Sequence, residues 1–187
     1  FVYDLCKLAG YPTSTRDAEA IFAGMDFDSS RLALASTDAL RKMADLAALG
    51  VNPARVIQSL EVSMDRSEKI ARLKAAQRAQ ILNLNGKIAA VSRVGSFQSS
   101  AARALLSLGA DISIVGGESN GVVTLSIRST PGFHRDTRVN VARDIAAVLG
   151  KMFSGAGGGH VNAAGVVCQG RLEAVLQGAV QIATESV

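Results

Sequence analysis

Ser154-Gly155-Ala156-Gly157-Gly158-Gly159-His160-Val161-Asn162-Ala163-Ala164-Gly165 is the stretch on which the reading of this chain turns. Glycines 155, 157, 158, 159 and 165 leave backbone amides uncovered and free to adopt positive φ. Successive bare N–H groups can form a nest for an anion such as phosphate. A histidine beside such a nest can donate to a phosphoryl oxygen or help position one. The Ala163-Ala164-Gly165 that follows lets the next element sit close behind the loop. A glycine-rich loop alone is weak evidence, because most are only turns. Three consecutive glycines, a histidine and Ala-Ala-Gly at this spacing are much more specific.

The elements around this stretch read as α/β. Lys87 to Arg93 and Asp111 to Val115 read as strands, with a helix from Ser99 to Leu108 between them that Gly109 stops. Val122 to Arg128 is the next strand, reached through Gly116 to Gly121, where Asn120-Gly121 suits a hairpin turn. A helix from Asn140 to Leu149, the glycine loop, a strand from Gly165 to Cys168 and a last helix from Arg171 to Ser186 complete the order β-α-β-β-α-β-α. The half before residue 83 reads as helical. A helix is in progress from Phe1 to Leu8 and stops at Gly10; a second runs from about Arg16 to Ala23, capped by Thr13 or Ser14. Gly24-Met25-Asp26-Phe27-Asp28-Ser29-Ser30 then breaks the pattern. Thr37 caps a helix over 38–49 with Leu40, Met43, Ala44 and Ala47 on its apolar face, and Asn52-Pro53 opens a short helix through Leu60. Residues 65–82 read as one long helix, apolar at Ile70, Leu73, Ala76 and Ile81 and charged at Arg66, Lys69, Arg72, Lys74 and Arg78. That basic face is either a solvated bridge between two packed bodies or a wall of positive charge beside a nucleic-acid path.

Composition bounds the remaining classes. The chain has 187 residues, enough for one large domain or two small ones. Its 48% apolar and 19% charged residues exclude disorder, and no apolar run is long enough to span a membrane. Two cysteines, Cys6 and Cys168, exclude a disulfide scaffold and read as packing residues. No secretory signal opens the chain, so the expected compartment is a reducing cytoplasm. A net charge of +4 permits anionic partners without demanding them. With 4% aromatics and no tryptophan, a base-stacking surface has few parts. His134 and His160 are the only histidines, so the chain alone cannot build a three-histidine metal site.

Gly157-Gly158-Gly159-His160-x-x-Ala163-Ala164-Gly165 resembles the signature of the DHH-associated domain. That domain is the C-terminal partner of the DHH phosphoesterase domain in RecJ-like exonucleases, nano-RNases/pAp phosphatases and cyclic-dinucleotide phosphodiesterases. Leu125-Ser126-Ile127-Arg128-Ser129 is similar to the family's Ser-x-Arg-Ser strand, and residues 140–146 look like the helix that precedes the glycine loop. The resemblance covers Lys87 to the end. It implies that Arg128, Ser129, Gly157, Gly158, Gly159 and His160 bind substrate phosphate.

The first half resembles the end of a DHH domain more loosely. Gly24-Met25-Asp26-Phe27-Asp28-Ser29 is similar to the family's metal loop, which would make Asp28 a metal ligand, with Asp26 as its rival and Arg31 as a pairing partner for Asp28. The chain has no Asp-His-His triplet, and one aspartate cannot hold the pair of ions such hydrolysis uses. The expectation is a fragment: residues 1–64 as an incomplete DHH phosphoesterase domain, 65–82 as a connecting helix and 83–187 as the DHH-associated domain with a mixed sheet. The intact enzyme would use Mn2+ or Mg2+. It would hydrolyse phosphoester bonds of an oligoribonucleotide, pAp, a cyclic dinucleotide or single-stranded DNA, bound across the cleft between the domains, while this chain alone would be inactive. Partners would be a nucleotide or short single strand and no membrane. The family often pairs as homodimers, though nothing in the sequence specifies an oligomeric state.

The competing expectation is a non-catalytic nucleic-acid-binding module similar to the associated domain of alanyl-tRNA synthetases. A metal loop at the edge of an incomplete parallel sheet would favour the enzyme, and an independent helical bundle over residues 1–64 the module. His134 reads as an exposed loop histidine or a substrate contact, and Arg103 as surface charge; Ser96, Ser99 and Ser100 near a helix N-terminus could meet a phosphate.

Overall fold

The computed structural model describes residues 1–29, 31–60 and 64–187, which form two compact units, Phe1–Ser63 and Met64–Val187. The first unit is helical: α1 (Val2–Leu8), α2 (Thr15–Asp28), α3 (Thr37–Ala48) and α4 (Pro53–Ser59). Its core gathers Tyr3, Ala18, Phe22, Met43, Leu46, Val51 and Val56. No strand occurs among its described residues.

The expected break after Ala23 is absent, because α2 runs on through Gly24 to Asp28. The Ser14 hydroxyl and the Asp17 carboxylate form a reciprocal cap at its start. Its buried residues Ala18, Phe22 and Asp26 lie four apart, so one stripe carries the helix past a single glycine that costs only about 1 kcal/mol. In α3 the cap is Ser36, not Thr37, since the Ser36 hydroxyl accepts from the Ala39 amide at 3.1 Å. The buried face is Met43 and Leu46, and Leu40 is exposed.

The second unit is α/β, as expected. A six-stranded mixed sheet has the order β1-β2-β3-β4-β6-β5, made of β1 (Gln80–Leu84), β2 (Lys87–Arg93), β3 (Ile112–Ser119), β4 (Val122–Ser129), β5 (Ala156–His160) and β6 (Ala163–Gln169). Only β2 and β3 are parallel, joined by a crossover through α6 (Gln98–Ser107); the other ladders are antiparallel. One face packs Ile112, Ile114, Val123, Leu125 and Ile127 against α7 (Pro131–Thr137), α8 (141–152) and α9 (Leu172–Ser186). Helix α8 is π-wound over Val141–Ala146 and α-helical over Ala147–Met152. The other face carries α5 (Arg66–Gln77) and α6, whose Ala75, Ala101, Ala102 and Leu105 cluster with Ala90, Val94 and Val115.

Several elements differ from expectation. The helix predicted over 65–82 ends at Gln77, and Gln80–Leu84 is an edge strand turned by Asn85 and Gly86, both at positive φ. The helix buries Ala71 and Ala75, while Ile70 and Leu73 are exposed. Close approach to α6 admits only methyl groups there, and the Ser92 hydroxyl reaches the Ala75 carbonyl at 2.8 Å. Gly116 and Gly117 lie inside β3 because a Cβ on Gly116 would come within 2.6 Å of Leu172 and one on Gly117 within 2.5 Å of the Val94 carbonyl. Residues 131–137 are a helix, set by the Thr130 cap and Pro131 in the first turn. The glycine stretch forms the edge strand β5 rather than a loop.

The face of α5 gives the first test. Ala75→Leu should cost the second unit about 1–3 kcal/mol through overpacking, and Leu73→Ala should stay within about 0.5 kcal/mol, read from urea titrations followed by circular dichroism. The opposite ranking would restore the apolar face read from the sequence.

Candidate functional site

Residues alternate across a strand, so β4 sends Val123, Leu125 and Ile127 into the core and Thr124, Ser126 and Arg128 to the face that carries α6. Register then decides what stands beside Arg128. It pairs with Ser113 of β3 on one side and Ala163 of β6 on the other, and Ala163 pairs with His160 of β5. Directly paired residues share a face, so Ser113, Arg128, Ala163 and His160 form one row. Two strand spacings separate Arg128 from His160, about 10 Å between Cα atoms, with only the Ala163 methyl between them. The next row is Val115, Ser126, Gly165 and Gly158. The floor between Arg128 and His160 is therefore almost bare backbone.

The glycines divide into two kinds. A Cβ on Gly157 would fall 1.9 Å from the Ala146 carbonyl oxygen, and one on Gly159 would fall 2.3 Å from the Ala163 carbonyl oxygen. These two are required by packing. A Cβ on Gly158 would meet nothing within 4 Å, and one on Gly165 would meet only the Leu125 carbonyl, at 3.8 Å. Packing within the chain does not demand glycine at either position, and they lie opposite each other on the open face. Glycine in a strand with room above it suits a surface that another group approaches closely.

Arg128 is half-buried at the edge of this floor. Its Nη2 donates to the Ser99 hydroxyl of α6 at 2.7 Å, while its buried Nε has no acceptor. Desolvation, and after it the nearby Arg103, pull the guanidinium below its ordinary pKa. His160 is exposed. Ser129 faces the opposite way, into the core; its hydroxyl donates to Asn162 Oδ1 at 3.2 Å and its amide to the Asn162 carbonyl at 3.0 Å. It thus pins the turn between His160 and Ala163, and the structure does not bring it to the floor with Arg128.

The other candidates lie elsewhere. Asp28 is the exposed last residue of α2, in the first unit. Asp26 is 1% exposed and forms an ion pair with Arg31 at 3.1 Å, so Arg31 serves Asp26 rather than Asp28. Among the described residues no group of three or more His, Cys, Asp or Glu side chains could hold a metal ion. The carboxylate set expected of a metal centre is therefore not met by these residues. His134 sits on α7, half-buried, with Nδ1 donating to the Val139 carbonyl at 2.9 Å, on the helix whose Phe133 enters the core of the opposite face. Cys168 is buried, which pushes its thiol up. A cavity of about 640 Å³ between β1–β2 and α9 shares no residue with the floor. No described helix is long and apolar enough to cross a membrane.

No protein-family model matches the sequence. An uncharacterized protein of Methanocaldococcus jannaschii is 26% identical over 147 residues, which are 79% of this chain and 44% of that protein. The crystal structure of an exopolyphosphatase-related protein from Bacteroides fragilis superposes with a TM-score of 0.65 at 16% identity, covering 98% of this chain and 55% of that one. The C-Ala domain from Aquifex aeolicus alanyl-tRNA synthetase aligns at a TM-score of 0.46 and 16% identity, covering 57% of this chain and 96% of that one. The chain spans less than half the length of the curated relative it matches. At these identities the likeness is one of fold, and it agrees with the expected α/β architecture with a mixed sheet.

The two kinds of glycine make a paired test. Gly157→Ala should lower stability by about 1–3 kcal/mol or more, because the Ala146 backbone cannot step aside. Gly158→Ala should leave the melting temperature within about 2 °C, since nothing opposes the new methyl. Equal losses in thermal melts would show that both glycines serve packing.

Proposed function

We propose that this chain is part of a DHH-family phosphoesterase acting on short nucleotides or nucleic-acid ends, and that the second unit is its substrate-binding domain. The row of Arg128, Ala163 and His160 over the bare Gly158–Gly165 floor carries the reading. Arg128 supplies a preorganised cation, and it is worth more to a phosphate because it is already partly desolvated. The floor lets a phosphate approach the backbone amides of Gly158 and Gly159, and His160 closes the far end of the row. These groups read phosphate, not base edges, so selectivity would come from length and ends across the oligoribonucleotide, pAp, cyclic-dinucleotide and single-stranded DNA candidates. Recognition of one among them, and exonuclease action of the RecJ-like kind, belong to the proposal. So do the compartment, which would be the cytoplasm, and pairing as a homodimer.

Such an enzyme would use Mn2+ or Mg2+, which would activate water and neutralise the leaving oxygen. Asp28 is the one residue of this chain assigned to that centre in the proposal, with the remaining ligands outside the described residues. What this chain does in the reaction is bind and orient the phosphate.

A second reading is favoured by the first unit. That unit is a helical body with its own core, the arrangement expected of a non-catalytic nucleic-acid-binding module. Against it, the B. fragilis alignment extends over 98% of the chain and so includes this helical body.

Calorimetric titration of the 187-residue chain with pAp and a short oligoribonucleotide, with and without manganese, separates the outcomes. Binding should be independent of metal and should fall about 10- to 100-fold in Arg128→Ala, the range expected for one lost charged hydrogen bond. No hydrolysis should be detectable with or without manganese. Metal-dependent turnover by this chain would overturn the placement of the missing ligands, and binding indifferent to both Arg128→Ala and His160→Ala would sink the phosphate site itself.

A further inference from the structure

The sheet ends at β1 in an open edge. β1 has β2 on one side and, among the described residues, no strand on the other. Edge strands are ordinarily blunted by charge, proline or a bulge. Gln80-Ile81-Leu82-Asn83-Leu84 has neither charge nor proline, and its register with β2 runs unbroken from Gln80↔Val91 to Leu84↔Lys87. Both faces at this edge are apolar. On the face that carries α5, Ile81 is 66% exposed and Ile88 of β2 is exposed near it. On the other face, Leu82 and Val91 floor the cavity of about 640 Å³ whose wall is Leu176 and Val180 of α9.

The hydrogen bonds identify the backbone groups this edge leaves over. The Ile88 amide donates to the Asp111 carboxylate and the Ile88 carbonyl accepts from the Asp111 amide, both at 2.8 Å. Ile88 thus turns its backbone away from β1. In an antiparallel ladder the residue opposite such a position turns away as well. That residue is Asn83, and Ile81 is in the same phase two positions back. The amides and carbonyls of Ile81 and Asn83 therefore point outward past the edge, while Gln80, Leu82 and Leu84 bond to β2.

We propose that two copies of this chain pair through β1, antiparallel about a two-fold axis at Leu82. Ile81 of each copy then exchanges both main-chain hydrogen bonds with the partner's Asn83, which uses every outward group. Leu82 meets the partner's Leu82 as a non-hydrogen-bonded pair, where side chains come closest. A second copy is favoured over a foreign strand because β1 is its own complement. Its outward groups are spaced evenly about Leu82, and a two-fold contact sets like residues together, which an uncharged strand tolerates. Arg78, just before β1, falls opposite the partner's Gly86, in the uncharged Asn85-Gly86 turn. The two sheets become continuous, and Ile81 and Leu82 lose water. This names the surface for the homodimer proposed above and does not rest on the phosphate-binding reading.

Sedimentation equilibrium of the full 187-residue chain over a micromolar concentration series tests it. The mass should rise from the 19.4 kDa of one chain to twice that. Ile81→Lys, at an exposed position, brings two lysines close to the axis and should weaken the dimer at least about tenfold. Ile81→Pro removes an amide that only the partner uses and should do the same, with the circular dichroism of the folded chain retained. Leu82→Cys should form a disulfide-linked dimer on mild oxidation, because the paired Cα atoms would lie about 4.5 Å apart. Ile81→Cys, whose copies meet only diagonally, should cross-link at least about tenfold more slowly. A wild type that stays at the mass of one chain overturns the proposal. A dimer that survives both Ile81→Lys and Ile81→Pro, or one in which Leu82→Cys fails to cross-link, forms elsewhere and overturns it too.

Discussion

Gly157 lies so close to the Ala146 carbonyl that a Cβ would fall 1.9 Å from its oxygen, and Gly150 meets the Gly157 amide in the same way at 2.5 Å. Strand β5 and helix α8 touch backbone to backbone. This contact seats β5 against α8 on the core face of the sheet. It also fixes the register of β5 on β6, and in a sheet a shift of one residue sends every side chain to the other face. With Gly157 against α8, His160 pairs with Ala163 and shares a face with Arg128. A slip by one would turn His160 towards the core. The geometry of the row thus depends on a packing contact that contains no polar side chain.

That dependence explains why the central stretch was only half legible. A glycine-rich phosphate loop and a close-packed edge strand ask for the same residue. Glycine has no side chain, so the period-two alternation that marks a strand cannot be seen in Ala156–His160. Other misses had signals that could have been used. Asn85-Gly86 is the same turn signal as Asn120-Gly121, and both pairs adopt positive φ. It was hidden because the charged run before it reads as continuing helix. Thr130-Pro131 is an N-cap followed by a first-turn proline, and it starts α7. In α2 the error came from letting one glycine outweigh a stripe of Ala18, Phe22 and Asp26 at helical spacing.

The site divides along similar lines. Arg128 and His160 were legible from residue type and motif. Their common row was not, because it passes through Ala163, an unremarkable residue whose role is to be small. Ser129, taken from the resemblance to the Ser-x-Arg-Ser strand, stands apart from Arg128: neighbours along a strand point to opposite faces, so the residue after Arg128 faces the core. The Ser99 contact joins residues 29 apart in sequence, across the β2-α6-β3 crossover, and no local pattern announces it.

The basic helix can now be weighed against Arg128 in physical terms. Of the charges on α5, Arg72 is bound to Glu68 and Ser100, and Arg78 leans on the Arg93 carbonyl at 3.4 Å. Arg66, Lys69 and Lys74 are exposed. Charges in water are screened within about 8 Å at physiological salt, so in the proposed function these three would contribute to attraction at a distance and little to orienting a phosphate. Arg128 is in the opposite situation. It has lost part of its hydration and lies beside another cation, with its guanidinium held by Ser99. In the proposed function, orientation would therefore belong to the arginine that the fold has partly desolvated, and steering to those it has left in water.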